Sequence, residues 1–195
     1  MAKPFLFIGL GNPGQKYAET RHNAGFWFLD RLAGQSGADF RLQSKLQAEV
    51  VRTVLHGQEC MLARPMTFMN NSGQAVRAII DYYKIPGSRM LIAYDELDLP
   101  PGVARLKLGG GHGGHNGLRD IFRHTQDHEF LRLRIGIGHP GNKELVTPYV
   151  LSRPGRDEQL LIIRTISKAV AAMADVLNGK LAAAQTELHT IADED

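Results

Sequence analysis

Residues 5–14 read FLFIGLGNPG, an apolar run that stops abruptly at Gly-Asn-Pro-Gly. Large apolar residues in an unbroken short run, closed by turn formers, mark a buried strand leaving a sheet. Two sheet folds are open at this point, because Gly9, Gly11 and Gly14 also satisfy G-x-G-x-x-G, the turn of a dinucleotide-binding unit. That unit runs straight from strand into helix, so that the pyrophosphate sits on the helix N-terminus. Here Pro13 lies inside the motif, and QKYAETRHN follows Gly14 before any helical spacing begins. The run is therefore read as a strand of an α/β sheet built for something other than a dinucleotide.

A second match lies in LGGGHGGHNGLRD, residues 108–120, at Gly109, Gly111 and Gly114. His115 and Asn116 intervene before the helical spacing resumes, and no acidic residue closes the next strand as the fingerprint requires. Neither segment contains Gly-Lys-Ser/Thr, which excludes a Walker-type loop. The glycines of residues 109–117 are read instead as letting the backbone pass close to a substrate groove.

Outward from the first strand, residues 24–32 carry Phe26, Leu29 and Leu32 at helical spacing. Residues 49–55 and 59–63, split by His-Gly-Gln, read as a β-hairpin. Asn71 or Ser72 is placed to cap a helix carrying Val76, Ile79, Ile80 and Tyr83. Residues 90–94 form another buried strand, followed by an acidic loop at 95–102. Residues 103–108 alternate apolar and basic side chains, as a half-exposed strand does. A helix at 118–124 and a strand at 131–137, with Arg132 and Arg134 on one face, come next. A Pro- and Gly-containing loop, read as flexible, covers about 139–152, and two helices occupy about 156–190. Interspersed strands and helices without a composition break imply one domain over residues 1–195. Its architecture is an α/β sandwich whose central sheet, flanked by helices, is mixed but mostly parallel.

The chain has 195 residues, 43% of them hydrophobic and 22% charged, the balance of an ordinary globular protein. Cys60 is the sole cysteine, so no intrachain disulfide forms and a reducing, cytoplasmic location is expected. The N-terminal apolar stretch is too short for a signal sequence or a membrane span. The net charge of +3 is unevenly placed: residues 103–143 hold seven Lys or Arg against three Asp or Glu. A local basic excess suits an anionic partner such as nucleic acid, although a solvated basic face has the same composition.

Several groupings could carry chemistry. His112 and His115, or Asp95, Glu96 and Asp98, offer metal ligands, but H-x-x-H in a glycine-rich loop lacks the helix that brings two imidazoles together. Ser72 lies in Asn-Ser-Gly rather than in a nucleophile elbow, and Cys60 reads as a buried, inert thiol. What remains is a set of polar residues at strand ends: Asn12, His22, Asn23, Asn70, Asp95, His115 and Asn116. In α/β sheets the loops beyond the strands' carboxyl ends converge on one crevice. A histidine with a carboxylate and several amides, but no obvious nucleophile, suits activation of water. Asparagine NH₂ groups would donate to a developing oxyanion.

FIGLGNPG, YAETRHNAG, RPMTFMNNSG, DELDLPPG, KLGGGHGGHNGL and RLRIGIGHP, in this order, resemble the motifs of the bacterial-type peptidyl-tRNA hydrolases. The resemblance runs from the first strand to about residue 140; beyond Pro148 it rests on helical character. It implies an esterase that frees tRNA from a prematurely released peptide, working as a monomer without metal, cofactor, membrane or obligatory protein partner. By the same resemblance, His22 is the base, Asp95 orients it, and Asn12, Asn70 and Asn116 are active-site amides. Met69 and its backbone contact the peptide, His115 sits at the rim, and Tyr17 packs or stacks. Lys107 and Arg134 form a tRNA phosphate clamp. Read from the residues alone, three alternatives stand: a metal-dependent nuclease on Asp95, Glu96 and Asp98, a nucleic-acid-binding module without catalysis, and a covalent esterase on Ser72.

Overall fold

A computed structural model of the chain describes residues 3–190. The FLFIG run is strand β1 (Phe5–Gly9), buried along its whole length. Six further strands occur among the described residues: β2 (Arg41–Gln43), β3 (Ala48–Leu55), β4 (Gln58–Pro65), β5 (Met90–Glu96), β6 (Ala104–Leu108) and β7 (Leu131–Gly136). They form one sheet of order β2-β3-β4-β1-β5-β7-β6. β1 pairs in parallel with β4 and β5, and β5 with β7. The outer pairs β2–β3, β3–β4 and β6–β7 are antiparallel. Only β3 and β6 run against the other strands, so the sheet is mixed and mostly parallel, as expected.

Alternation along β1 explains why it has no polar face. Phe5 and Phe7 join one core with Phe28, Leu29 and Leu32 of α1 (Ala24–Gly34) and Ile166 and Met173 of α5 (Arg156–Leu177). Leu6 and Ile8 join the other, with Val76 and Ile79 of α2 (Ser72–Tyr83) and Leu118 and Ile121 of α3 (Asn116–Thr125). Burial on both faces requires apolar residues at every position. Two glycines of the first fingerprint, Gly9 and Gly11, serve this packing. A Cβ on Gly9 would lie 2.2 Å from the Gly25 carbonyl oxygen of α1, and one on Gly11 would lie 2.8 Å from the Phe26 ring.

The β3–β4 hairpin turns at His56-Gly57, both with positive φ (48° and 77°), the conformation that a two-residue hairpin favours. Gln58, expected in the turn, instead pairs with Leu55. β2 escaped the sequence reading because it is three exposed residues paired only to β3, too short for any alternation. At the other edge, α6 (Leu181–His189) covers β6: the Leu106 N–H donates to His189 Nε2 at 2.9 Å, and Gln185 donates to the Leu106 carbonyl. Such cover removes a free strand edge.

Two local expectations differ. The segment at 139–152 contains a 3-10 turn at Lys143–Leu145 and a short helix, α4 (Val146–Val150). Pro148, which suggests a loop, sits in the first turn of α4, where its missing N–H costs no helical bond. Asn71 holds the N-cap position of α2 without a side-chain bond, and Ser72 Oγ donates back to the Met69 carbonyl. No helix among the described residues is long and apolar enough to cross a membrane.

Candidate active site

The loops after β1, β4, β5 and β7 and the N-terminus of α3 enclose a cleft of about 960 Å³. Asn12, Tyr17, His22, Met69, Asn70, Asp95, His115 and Asn116 all line it. Eight residues expected at the site from widely separated motifs are thus brought together at the carboxyl end of the parallel strands.

Asp95, near the end of β5, lies at the bottom, 3% exposed. His22 reaches it from a 3-10 turn at Arg21–Asn23 that leads into α1, its Nδ1 2.9 Å from each carboxylate oxygen. His115, expected at the rim, is drawn inward, with Nε2 2.9 Å from Asp95 Oδ1. The cause is local: His115 is the N-cap of α3, and its Nδ1 accepts from the Leu118 N–H. A nitrogen that accepts carries no proton in a neutral imidazole, so Nε2–H donates to Asp95. The same logic gives His22 a proton on Nδ1 and leaves its Nε2 without a partner among the described residues.

Burial by itself would raise the Asp95 carboxyl pKa, but the imidazoles of His22 and His115 outweigh it and hold the group well below the usual carboxylate range. Burial lowers the His22 pKa, and the Asp95 carboxylate outweighs that too, leaving it above the ordinary histidine value.

Asn12 is equally constrained. Its Oδ1 accepts from the Met69 N–H at 2.7 Å. Its backbone N–H donates to Asn23 Oδ1, and Asn23 Nδ2 returns a bond to the Asn12 carbonyl. The amide oxygen is thereby fixed, and the NH₂ has no protein partner among the described residues while the residue lines the cleft. Met69 itself is buried, so its backbone orients Asn12. Asn70 is exposed, Asn116 Oδ1 accepts from Arg119, and Tyr17 meets Phe68 edge-on at 6.1 Å.

Lys107 and Arg134 stand outside the cleft. The β6–β7 register pairs Lys107 with Arg132 and Arg105 with Arg134, which puts these basic residues on one face of the sheet. Arg134 Nε donates to Glu96 Oε2 at 2.9 Å, whereas exposed Lys107 has no ion-pair partner among the described residues.

Glu96 turns towards Arg134, and its Oε1 accepts from the Asp98 N–H, so Asp95, Glu96 and Asp98 do not converge. The ligand atoms that do lie within 4.8 Å of one another belong to His22, Asp95 and His115. His112 turns its Nδ1 to the Gly114 N–H, away from His115. Ser72 is fully buried with its hydroxyl on a carbonyl, and burial pushes the Cys60 thiol up to about 11. Neither has an activating base among the described residues.

Arg21 and Arg132 are not among the site residues expected from sequence: Arg21 carries no periodicity, and the alternation at 131–137 places Arg132 only on one face of a strand with Arg134. Arg21 donates through Nη1 to the carbonyls of Tyr149, Ser152 and Arg153, and through Nη2 to Glu158, tying the 149–153 segment beside His22. Asn23 belongs to the polar set expected at the strand ends, but its pairing with Asn12 has no signature in the spacing.

A buried His–Asp pair beside an oriented amide at the carboxyl end of an α/β sheet, with neither Ser72 nor Cys60 activated, is the kind of arrangement that suits a hydrolase. The chain matches the family described as peptidyl-tRNA hydrolase over residues 6–195. It is 50% identical to a peptidyl-tRNA hydrolase of Halorhodospira halophila, covering 94% of this chain and 95% of that one. A relative of the same name from Alcanivorax borkumensis is also 50% identical, covering 97% and 98%. The crystal structure of peptidyl-tRNA hydrolase from Acinetobacter baumannii superposes with a TM-score of 0.93 at 46% identity, covering 97% of this chain and 96% of that one. The chain belongs to the peptidyl-tRNA hydrolase family, which cleaves the ester bond of peptidyl-tRNA.

Proposed function

We propose that His22 is the general base of this ester hydrolysis and that Asp95 fixes its tautomer. One observation carries the reading: His22 Nδ1 is bound to a buried carboxylate while Nε2, beside the cleft, has no partner among the described residues. Nε2 takes a proton from water, the water attacks the ester carbonyl, and the imidazolium that forms is stabilised by Asp95. The Asn12 NH₂, oriented by Met69, donates to the oxyanion. Asn70 and Asn116 position the ester and the water, and Tyr17 and Met69 border the peptide. The 3′-terminal ribose hydroxyl leaves, taking its proton from His22. An alkoxide leaves more readily than an amine, so this route needs no metal and no covalent intermediate.

Lys107 and Arg134 are proposed to hold a tRNA phosphate on the β6–β7 face. The enzyme is taken to be a cytoplasmic monomer made of one domain, without cofactor or obligatory protein partner. Light scattering on purified protein at working concentration checks the monomer. Cleavage of peptidyl-tRNA by wild type and His22→Ala, with and without EDTA, tests the chemistry. Near-normal turnover by His22→Ala rules out the base assignment, and loss of wild-type activity in EDTA rules out a metal-free route.

A further inference from the structure

Arg132 is among the largest fully buried side chains of the molecule, at 1% exposed, and it has no ion-pair partner among the described residues. A buried guanidinium without a counter-ion is costly unless its donors are met. Here main-chain carbonyls meet the two terminal nitrogens: Nη1 donates to Gly111 at 2.5 Å, and Nη2 donates to Gly110 and, at 3.4 Å, to His128, while the buried Nε has no hydrogen-bond partner among the described residues. The rings of Phe122 and Phe130, each 5.1 Å from the guanidinium carbon, cover its faces.

The carbonyls of Gly110 and Gly111 belong to the glycine-rich segment that joins Lys107 to His115. Gly109, Gly110, Gly113 and Gly114 all have positive φ, so nothing in their own side chains stiffens the segment. It nevertheless ends at two residues of the cleft, one of which contacts the catalytic carboxylate. The Gly109 N–H bond to the Phe130 carbonyl and the turn bonds of His112 hold its two ends, and between them Arg132 is the side chain that reaches the segment from the sheet. Its planar fork meets two successive carbonyls at once, which a lysine ammonium, a single point donor, cannot reproduce.

We propose that Arg132 is a positioning residue for the hydrolysis: by clamping the carbonyls of Gly110 and Gly111 it holds the 109–114 segment so that His115 and Asn116 stand correctly at the His22–Asp95 pair. The proposal rests on the reading of that pair as the reaction centre. It also gives the glycine-rich stretch a role that does not involve a cofactor phosphate: the carbonyls of its anchor point face inward, to a cation supplied by the protein.

The test compares Arg132→Lys with wild type by kinetics on peptidyl-tRNA at two salt concentrations, by amide hydrogen exchange over residues 109–115, and by thermal unfolding. In a folded Arg132→Lys, exchange in the segment is expected to quicken and kcat to fall by about ten- to a hundredfold, the scale of a misplacement near 1 Å, with KM and its salt dependence close to wild type. A kcat within about twofold of wild type overturns the proposal. So does a loss confined to KM with a flatter salt dependence, which would make Arg132 a phosphate-binding charge. Gly110→Ala covers the case in which the lysine variant fails to fold. It leaves the guanidinium in place but strains a residue at φ +105°. It is expected to reproduce the loss in kcat, and full turnover would overturn the clamp. Failure of the base reading is seen separately, as near-normal turnover by His22→Ala, because the exchange measurement on Arg132→Lys does not depend on which group takes the proton.

Discussion

The bottom of the cleft and the β6–β7 face beside it handle charge in opposite ways. In the cleft, Asp95, His22, His115, Asn12 and Asn23 are buried or nearly so, and each has its orientation fixed by named hydrogen bonds. On the neighbouring face Lys107 is exposed, and Arg134 shares its charge with Glu96. Buried charges interact strongly and in one geometry, whereas exposed ones are weakened by water and by salt. The difference divides the work. Changes in the cleft should appear in kcat, and changes on the basic face in KM and its salt dependence.

The largest effect expected is that of His22→Ala. A positioned general base contributes about 10²–10⁴-fold, so kcat should fall by at least that factor while binding of peptidyl-tRNA changes little. Single-turnover kinetics beside a binding measurement separate the two, and an equal loss in both would erase the division between the two regions. Next comes Asp95→Asn, which removes the negative charge and offers an amide to His22. A fall in kcat of about tenfold or more is expected from the misplaced or destabilised imidazolium.

The same variant gives a sharper reading through pH. His22 must be neutral to take a proton, and Asp95 holds its pKa above the ordinary value, so the acid limb of the wild-type pH–rate profile should lie above about 6.5. Without the carboxylate, burial alone acts on the imidazole and lowers its pKa. The acid limb of Asp95→Asn should therefore move to lower pH even as the rate drops; an unmoved limb would mean that it reports another group. Stability follows with its own signs. The raised histidine stabilises the fold below its unfolded pKa near 6.5, and that contribution fades as pH rises through the folded value. The lowered carboxylate stabilises above about 3.9, fading as pH falls through its folded value. The pair thus contributes most between about pH 4 and 6.5, and the gap in melting temperature between wild type and His22→Ala should be widest there.

Much of this was legible in the chain. Strand β1, α1, the hairpin and the long α5 announce themselves because burial on one or both faces imposes a periodicity. Asn12, His22, Asn70, Asp95, His115 and Asn116 are legible as polar groups at strand ends, where a parallel sheet gathers its loops, whereas Tyr17 and Met69 are indicated only by the family resemblance. What stayed hidden has no period, or one that says nothing of its partners. β2 is three exposed residues, and α4 starts where a proline suggests a loop. The inward turn of His115 depends on a cap bond three residues away. Arg21 and Arg132 look like any other arginine until the carbonyls that they hold are brought to them through the fold.

The smallest effects belong to the basic face, and they differ between its two cations. Neutralising an exposed phosphate contact lowers the slope of log affinity against log salt by roughly one. Lys107→Ala should show that full change, with kcat close to wild type, because the side chain has no ion pair among the described residues to lose. Arg134→Ala should show less. In the free protein Arg134 is held by Glu96 at 2.9 Å, so a phosphate has to compete with a carboxylate already in place. Removing that competitor reverses the sign: Glu96→Gln should tighten tRNA binding and steepen its salt dependence, since it frees one positive charge on this face. Titration of tRNA binding over a salt series with the three variants orders them as Lys107→Ala weakest, Arg134→Ala intermediate and Glu96→Gln strongest. An unchanged slope in Lys107→Ala would remove this face from the tRNA interface. Equal losses for both cations would show instead that the bound phosphate displaces Glu96 completely.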